Sequence, residues 1–198
     1  MSKAVLISIR PKWVEKIVNG KKTIEVRKTK PKLETPFKCY IYCTRDKHLA
    51  FMQNQTGTNL IACMDVDAAI PVGGAIGNGK VIGEFVCDCV TPLYNVCMDD
   101  WKRLSGGLHN IEKELVNQAC LTEAKLHTYA GGKNCFAWHI SDLRIYDTPK
   151  ELSEFKTLCR VDSDCCACPY YNYTKMDCDG RVIGRPPQSW CYVDDANA

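Results

Sequence analysis

The chain has 198 residues, of which 45% are hydrophobic and 25% are charged, with a formal net charge of +3 and a pI of about 8.1. This length suits one domain of ordinary size plus an appendage, and the composition argues against wholesale disorder. The mild net charge excludes a strongly basic nucleic-acid binder, for which a pI above about 9 is typical. Any nucleic-acid role must therefore come from a local patch, and eight cations fall close together near the N-terminus: Lys12, Lys16, Lys21, Lys22, Arg27, Lys28, Lys30 and Lys32.

The apolar run at residues 4–9 is too short for a secretory signal peptide, and Arg10 interrupts it. No stretch approaches the roughly 18 apolar residues of a membrane span. We therefore expect a cytoplasmic protein without membrane contact. In a reducing compartment, clustered thiols among the 14 cysteines are better metal ligands than disulfide partners.

The first third of the chain alternates short strands with one helix. Residues 5–9 read as a strand, and residues 11–20 as a helix with Pro11 in its first turn and Gly20 as its stop signal. Residues 23–27 alternate as a strand, with Ile24 and Val26 on one face and Glu25 and Arg27 on the other. Residues 37–43 are predicted to form a more buried strand.

The following segments predict a sheet-rich domain with few helices. Residues 54–79 contain a glycine-rich stretch and read as a loop insertion. Residues 80–90 predict a strand, 111–119 and 122–129 predict helices, and 134–140 and 143–146 predict the last strands. Because most strands are consecutive, we expect an α+β fold with a mixed β-barrel and flanking short helices rather than a doubly wound sheet. The predicted division is a domain at residues 1–150 and a cysteine-rich tail at 151–198.

The segment at residues 20–27 contains the principal candidate site. Lys22 falls at a helix-to-strand turn, and Glu25 and Arg27 project from one strand face. A lysine, a carboxylate and a guanidinium together can hold an anion and manage a proton. The alternative is a solvated strand face with an ion pair that stabilises the fold by about 0–1 kcal/mol.

Residues 20–27 fit the pattern G-x-K-x-x-E-x-R, which resembles the signature of ASCH domains in the PUA-like superfamily. The order of the surrounding elements agrees, and the likeness covers roughly residues 3–147 without the insertion. The resemblance implies a barrel with a cleft where Lys22, Glu25 and Arg27 meet, and a role in binding RNA or nucleotides. Trp13, Tyr40 and Tyr42 lie near the motif and offer stacking faces for bases.

The same resemblance implies an enzymatic alternative. Some relatives are amidohydrolases that cleave acetylcytidine with a lysine, a threonine and a glutamate. Lys22 matches that lysine, but Glu25 stands where the threonine would be. Glu84 is the candidate for the later glutamate, so the catalytic set, if the protein is an enzyme, would be Lys22, Glu25 and Glu84.

The tail predicts a metal site. Cys165 and Cys168 form a C-x-x-C pair, and two further thiols would complete a tetrahedral zinc site. The predicted ligands are Cys165, Cys168, Cys178 and Cys191, with Cys159 and Cys166 as substitutes. An iron–sulfur cluster and a set of thiols that simply pack on the domain are the alternatives.

Residues 185–193 resemble a terminal segment of phage and prophage proteins with ASCH domains. We expect Trp190 in this segment to dock on the main domain. Three functions follow from the sequence: an RNA- or nucleotide-binding module, an amidohydrolase, and a protein-interaction adaptor that uses the tail.

Overall fold

The computed structural model describes residues 3–53, 60–63, 75–93, 110–158, 171–172, 174, 177–178 and 180–195. The helices are α1 (Pro11–Val18), α2 (Asn110–Gln118) and α3 (Glu123–Ala130), with a short 3₁₀ helix at Leu152–Glu154. The strands are β1 (Lys3–Ile9), β2 (Ile24–Arg27), β3 (Phe37–Cys43), β4 (Ala50–Gln53), β5 (Leu60–Cys63), β6 (Ala75–Ile76), β7 (Val81–Cys87), β8 (Val90–Leu93), β9 (Cys135–His139), β10 (Ser141–Lys150), β11 (Lys156–Thr157), β12 (Tyr171–Asn172), β13 (Asp177–Cys178), β14 (Arg181–Val182) and β15 (Trp190–Asp194).

The main sheet has seven strands in the order β10-β7-β3-β1-β15-β11-β14. Within it β1 and β3 are parallel, and the other pairs are antiparallel. Three smaller sheets have the orders β2-β9-β8, β5-β4-β6 and β12-β13. The sheet-dominated α+β fold with few helices is therefore confirmed. The mixed β-barrel expected from the sequence is not seen as a closed barrel, because the strand pairings between described residues form separate sheets.

The segment from α1 to β2 follows its sequence signals closely. Pro11 begins α1, and Val14 and Ile17 bury its inner face. Gly20 has a φ of +68°, a left-handed conformation that glycine adopts without steric cost and that turns the chain toward β2. Because side chains alternate along a strand, Ile24 and Val26 of β2 pack together into a core cluster with α2 and α3, leaving the other face for polar groups.

The apolar run at residues 80–90, expected to be one strand, forms two strands in different sheets. β7 ends at Cys87 and lies in the main sheet, whereas β8 begins at Val90 and pairs with β9. At the crossing, the Asp88 carboxylate lies 2.6 Å from His139 Nδ1, and the Cys89 carbonyl accepts a hydrogen bond from the His139 amide at 2.9 Å. The apolar pattern of residues 80–90 does not specify which strand each half pairs with. The division into β7 and β8 was therefore not predictable from the sequence of this segment.

The segment predicted as a loop insertion at residues 54–79 contains β5 and β6, which pair on either side of β4. Residues 54–59 and 64–74 of this range lie outside the described part of the chain. Among the described helices, none is long and apolar enough to cross a membrane.

The C-terminal strand β15 lies inside the main sheet, between β1 and β11. Trp190 packs against Trp138 at a ring-centroid distance of 6.0 Å, and its indole N–H donates to Thr29 Oγ1 at 3.0 Å, so the predicted docking of Trp190 is seen. The division at residue 150 stays a prediction. Within the predicted tail, however, β11, β14 and β15 are integral to the main sheet.

We expect the Trp190→Ala substitution to lower the free energy of unfolding by about 2–4 kcal/mol, somewhat below the range for fully buried tryptophan because the side chain is half-buried. Urea denaturation followed by circular dichroism measures this loss. The matched control is Val182→Ala on an exposed strand position, for which the change should stay within about 0.5 kcal/mol. Equal stabilities of the two variants would contradict the anchoring role of Trp190.

Candidate functional site

Lys22, Glu25 and Arg27 form one buried ionic network. Glu25 Oε2 lies 3.2 Å from Lys22 Nζ, and Glu25 Oε1 lies 3.0 Å from Arg27 Nε. The three residues are only 3%, 7% and 8% exposed. The structure therefore brings the three predicted motif residues together. The ion pairs are buried, whereas the alternative interpretation placed an ion pair on a solvated strand face.

The Lys22 ammonium has three acceptors for its three N–H groups. It donates to the Ile24 carbonyl at 2.6 Å and to the Ala119 carbonyl at 2.9 Å, in addition to its contact with Glu25. Lys22 thus joins β2 to the C-terminal end of α2.

Two more contacts join the same elements. The Thr23 amide donates to the Gln118 carbonyl at 3.0 Å, and the Cys120 thiol donates to the Lys21 carbonyl at 3.1 Å. Cys120 itself has a φ of +54°, at the position after the helix where glycine is usual. These contacts therefore hold the end of α2 against the start of β2.

Arg27 links the network to both ends of the chain. Its Nη2 donates to the Ser8 carbonyl at 2.6 Å, and its Nη1 lies 3.4 Å from the Ser189 carbonyl and 3.3 Å from Ser189 Oγ. Ser8 in turn donates from its amide to the Ser189 carbonyl at 2.9 Å and from its hydroxyl to the Pro187 carbonyl at 2.6 Å. The segment at residues 186–189 is held against β1 by these bonds.

A cleft of about 1460 Å³ opens over this network. Its walls come from the start of α1, from α3, from the segment after β3, from the 3₁₀ helix and from the C-terminal segment at 183–189. The charged residues that line it are six cations and two carboxylates: Arg10, Lys12, Lys22, Arg27, Arg45, Lys125, Glu25 and Glu151. The described lining is therefore electropositive.

Only some of the other predicted contributors are among the described residues that line the cleft. Trp13 and Tyr42 line the cleft, and Lys22 Nζ lies 5.4 Å from the centre of the Trp13 ring. Tyr40 instead packs against Phe155 at a centroid distance of 5.0 Å. Glu84 is not among the described residues that line the cleft.

The side chain of Glu84 has a different partner. Its Oε2 accepts a hydrogen bond from the Tyr146 hydroxyl at 2.6 Å, and Glu84 lies opposite Tyr40 in the pairing of β7 with β3. The structure therefore does not bring Glu84 together with Lys22 and Glu25. Its predicted catalytic role stays a prediction without support from this geometry.

Several lining residues were not predicted from the sequence. One group lies on one face of α3, where Lys125, Thr128 and Tyr129 follow at helical spacing. Ser8 and Ser189 were also missed. The only available signal was the Pro-Pro-Gln-Ser-Trp stretch at residues 186–190, whose docking was expected but whose contact with Arg27 was not.

The predicted zinc ligands lie mostly outside the described residues. Cys165, Cys168, Cys159 and Cys166 are not described, and for Cys178 only the backbone, in β13, is. Cys191 is described: it lies opposite Leu6 in the pairing of β15 with β1, and its thiol packs against the core. Within the described ranges, no group of three or more His, Cys, Asp or Glu side chains is arranged to hold a metal ion.

Burial raises the pKa of the Cys191 thiol to about 11. We therefore expect Cys191 to remain protonated at pH 8 and to react slowly with iodoacetamide in the folded protein, whereas the exposed Cys89 should react rapidly. Peptide mapping by mass spectrometry after timed alkylation measures both rates in one sample. Similar rates at the two positions would show that β15 does not shield the thiol.

The Lys22→Ala substitution should lower the free energy of unfolding by about 3–5 kcal/mol, because it removes one of the two buried cations paired with Glu25 and leaves the Ala119 carbonyl without its donor. Lys21→Ala is the matched control, since Lys21 is the exposed neighbour and its backbone contact survives the change. Chemical denaturation of both variants gives the comparison. A loss for Lys22→Ala no larger than that for Lys21→Ala would contradict the structural role of the ammonium.

Comparison with known proteins agrees with this arrangement of elements. The crystal structure of an ASCH protein from Zymomonas mobilis matches with a TM-score of 0.51 and 19% sequence identity, covering 98% of this chain and 90% of that one. Two single-residue variants of that protein also match at 19% identity. The first has a TM-score of 0.51 and covers 99% of this chain and 94% of that one. The second has a TM-score of 0.50 and covers 98% of this chain and 90% of that one. No curated protein gave a significant match.

The ASCH domain family model matches residues 7–105, which is half of the 198-residue chain, and the protein therefore belongs to the ASCH domain family.

Proposed function

We propose that this protein is an RNA-binding PUA-like module that binds a single RNA strand in the cleft above Lys22, Glu25 and Arg27. The observation that carries the proposal is the charge of the cleft, in which six cations face two carboxylates. ASCH domains are associated with RNA binding, which agrees with this reading of the site.

Both carboxylates in the cleft already have cationic partners. Glu25 lies between Lys22 and Arg27, and Glu151 Oε1 lies 2.9 Å from Lys80 Nζ. The remaining lining cations are Arg10, Lys12, Arg45 and Lys125, and no carboxylate in the described part of the chain forms an ion pair with them. Their side chains are exposed, so they are available for the phosphates of a nucleic-acid backbone.

The four exposed cations Arg10, Lys12, Arg45 and Lys125 are called the rim of the cleft. The motif and the rim have different roles in this proposal. Lys22 and Arg27 are engaged by backbone carbonyls and by Glu25, so they shape the floor of the cleft. The exposed rim cations contact phosphates, and the half-buried ring of Trp13 offers a face on which a base can stack.

The amidohydrolase alternative has weaker support. It requires Lys22 to activate water or an acyl group, yet all three N–H groups of its ammonium are engaged. It also requires a second carboxylate, and Glu84 is bonded to Tyr146 away from the cleft. Incubation with N4-acetylcytidine tests it: release of acetate that depends on Lys22 would favour the enzyme over the binding module.

The adaptor alternative and the zinc site concern the tail. We propose structural zinc bound by Cys165, Cys168, Cys178 and Cys191, with Cys159 and Cys166 as substitutes; because the side chain of Cys191 packs against a core cluster, a substitute is favoured at that position. A prophage-type origin and a cytoplasmic location remain parts of the proposal that rest on the sequence alone.

Binding of a fluorescein-labelled eight-nucleotide RNA, measured by anisotropy over a salt series, tests the main proposal. We expect affinity to fall with added salt, and the Arg10→Ala/Lys12→Ala double variant to reduce the slope of log K against log salt by about 0.7 for each lost phosphate contact. These rim positions are preferable to Arg27, whose loss would also release the C-terminal segment.

The matched control is the Lys113→Ala/Lys133→Ala double variant, which removes two exposed cations that do not line the cleft. It should retain the wild-type slope. Equal slopes for the rim and control variants would place the RNA elsewhere, and absence of RNA binding at low salt would contradict the proposal.

A further inference from the structure

The cleft is larger than a site for one nucleoside requires. Pockets for drug-sized ligands typically measure about 300–1000 Å³, whereas this cleft measures about 1460 Å³. Lys22, Glu25 and Arg27 form part of its lining, which also includes residues of α3, of the segment after β3 and of the 3₁₀ helix. The motif therefore accounts for only part of the surface that a ligand would meet.

We propose that these two additional parts of the lining are separate nucleotide subsites, so that the cleft binds a segment of several nucleotides of one RNA strand. The inference rests on the proposed function and extends it from one binding site to several nucleotide subsites along the cleft. The part formed by α3 is called the α3 subsite, and its residues are Lys125, Thr128 and Tyr129. The part beyond β3 is called the β3 subsite, and its residues are Tyr42, Arg45, Leu152, Ser153 and Ile183.

The α3 subsite combines an exposed aromatic ring with cations. Tyr129 is 40% exposed, although most large apolar and aromatic side chains of the described residues are buried. Lys28 Nζ lies 5.3 Å from the centre of its ring, and Lys125 lies one turn earlier on the same helix face. An exposed ring with one ammonium group over it and a second lysine one helical turn away is an arrangement that suits stacking of a base and contact with the adjacent phosphate.

The β3 subsite has apolar walls with polar groups at its edge. Leu152 and Ile183 provide apolar surface, and Ser153 and Arg45 provide exposed hydrogen-bonding groups. Arg45 lies close over Gly79, where an added Cβ would come within 3.0 Å of Arg45 Nε. The missing side chain thus lets the arginine lie along the backbone. A flat base with apolar faces and polar edges matches this set of groups.

Most residues of the two subsites lie outside the part matched by the family model, so the prediction is specific to this chain. Arg45 lies within residues 7–105, whereas Lys125, Tyr129 and Ile183 lie beyond residue 105. A ligand confined to the motif would use neither subsite. A strand that follows the cleft would use both, and its affinity would depend on its length.

A length series of oligouridylates with one, two, four, six and eight nucleotides, measured by competition against the labelled eight-nucleotide RNA, tests the inference. We expect affinity to rise from one to at least four nucleotides and then to level off. Tyr129→Ala and Arg45→Ala should each weaken binding of the six-nucleotide RNA by about fivefold or more, as expected for a lost base or phosphate contact. Tyr129→Phe should retain affinity, because it keeps the ring.

The controls are Lys133→Ala and Arg144→Ala, which remove exposed cations outside the cleft. Two results would overturn the proposed subsites and leave the RNA-binding proposal intact. One is a mononucleotide that binds as tightly as the six-nucleotide RNA. The other is an affinity of the subsite variants for the six-nucleotide RNA equal to that of these controls. Absence of binding at every length would overturn both. Thermal unfolding of each variant confirms that these exposed substitutions leave the fold in place.

Discussion

The buried contact of Glu25 with Lys22 and Arg27 is the interaction on which the rest of the site depends. Burying charges is costly, and only close pairing with further hydrogen bonds offsets the lost hydration. Here the two cations provide that pairing, and their other N–H groups reach carbonyls of β1, β2, the end of α2 and the C-terminal segment. Four parts of the chain that are distant in sequence are thereby fixed around one carboxylate. Two of these parts border the cleft, because Ser8 and the segment that contains Ser189 line it.

This arrangement changes how the motif relates to function. A motif of lysine, glutamate and arginine suggests groups that touch a ligand, yet in this chain most of their bonding capacity is used inside the protein. The pattern therefore identifies the fold and the floor of the cleft more strongly than it identifies a ligand. In the proposed function, ligand choice then depends on the exposed cations of the cleft, where Arg10 and Lys12 come from the start of α1 and Lys125 from α3. Members of a family can share such a floor and differ in what they bind.

The sequence was informative where the relevant signal is local. Proline at the start of α1, glycine at its end and the alternation of β2 placed the three motif residues on one face correctly. Pairings between distant segments were not predictable in this way. The contact between Arg27 and Ser189 joins residues separated by 162 positions, and nothing in the pattern of either segment specifies the other. For the same reason, the division of residues 80–90 between two sheets and the pairing of β4 with β5 and β6 were missed.

The position of β15 constrains any role for the tail. The strand lies between β1 and β11, and the segment just before it closes one wall of the cleft through Ser189 and Pro187. A partner that displaced residues 186–194 would have to break sheet pairing with β1 and remove the acceptors of Arg27, leaving a buried guanidinium less well paired. An adaptor function through that segment would therefore destroy the cleft. A partner compatible with RNA binding has to contact a different part of the tail, so the two functions can coexist only if β15 remains in the sheet.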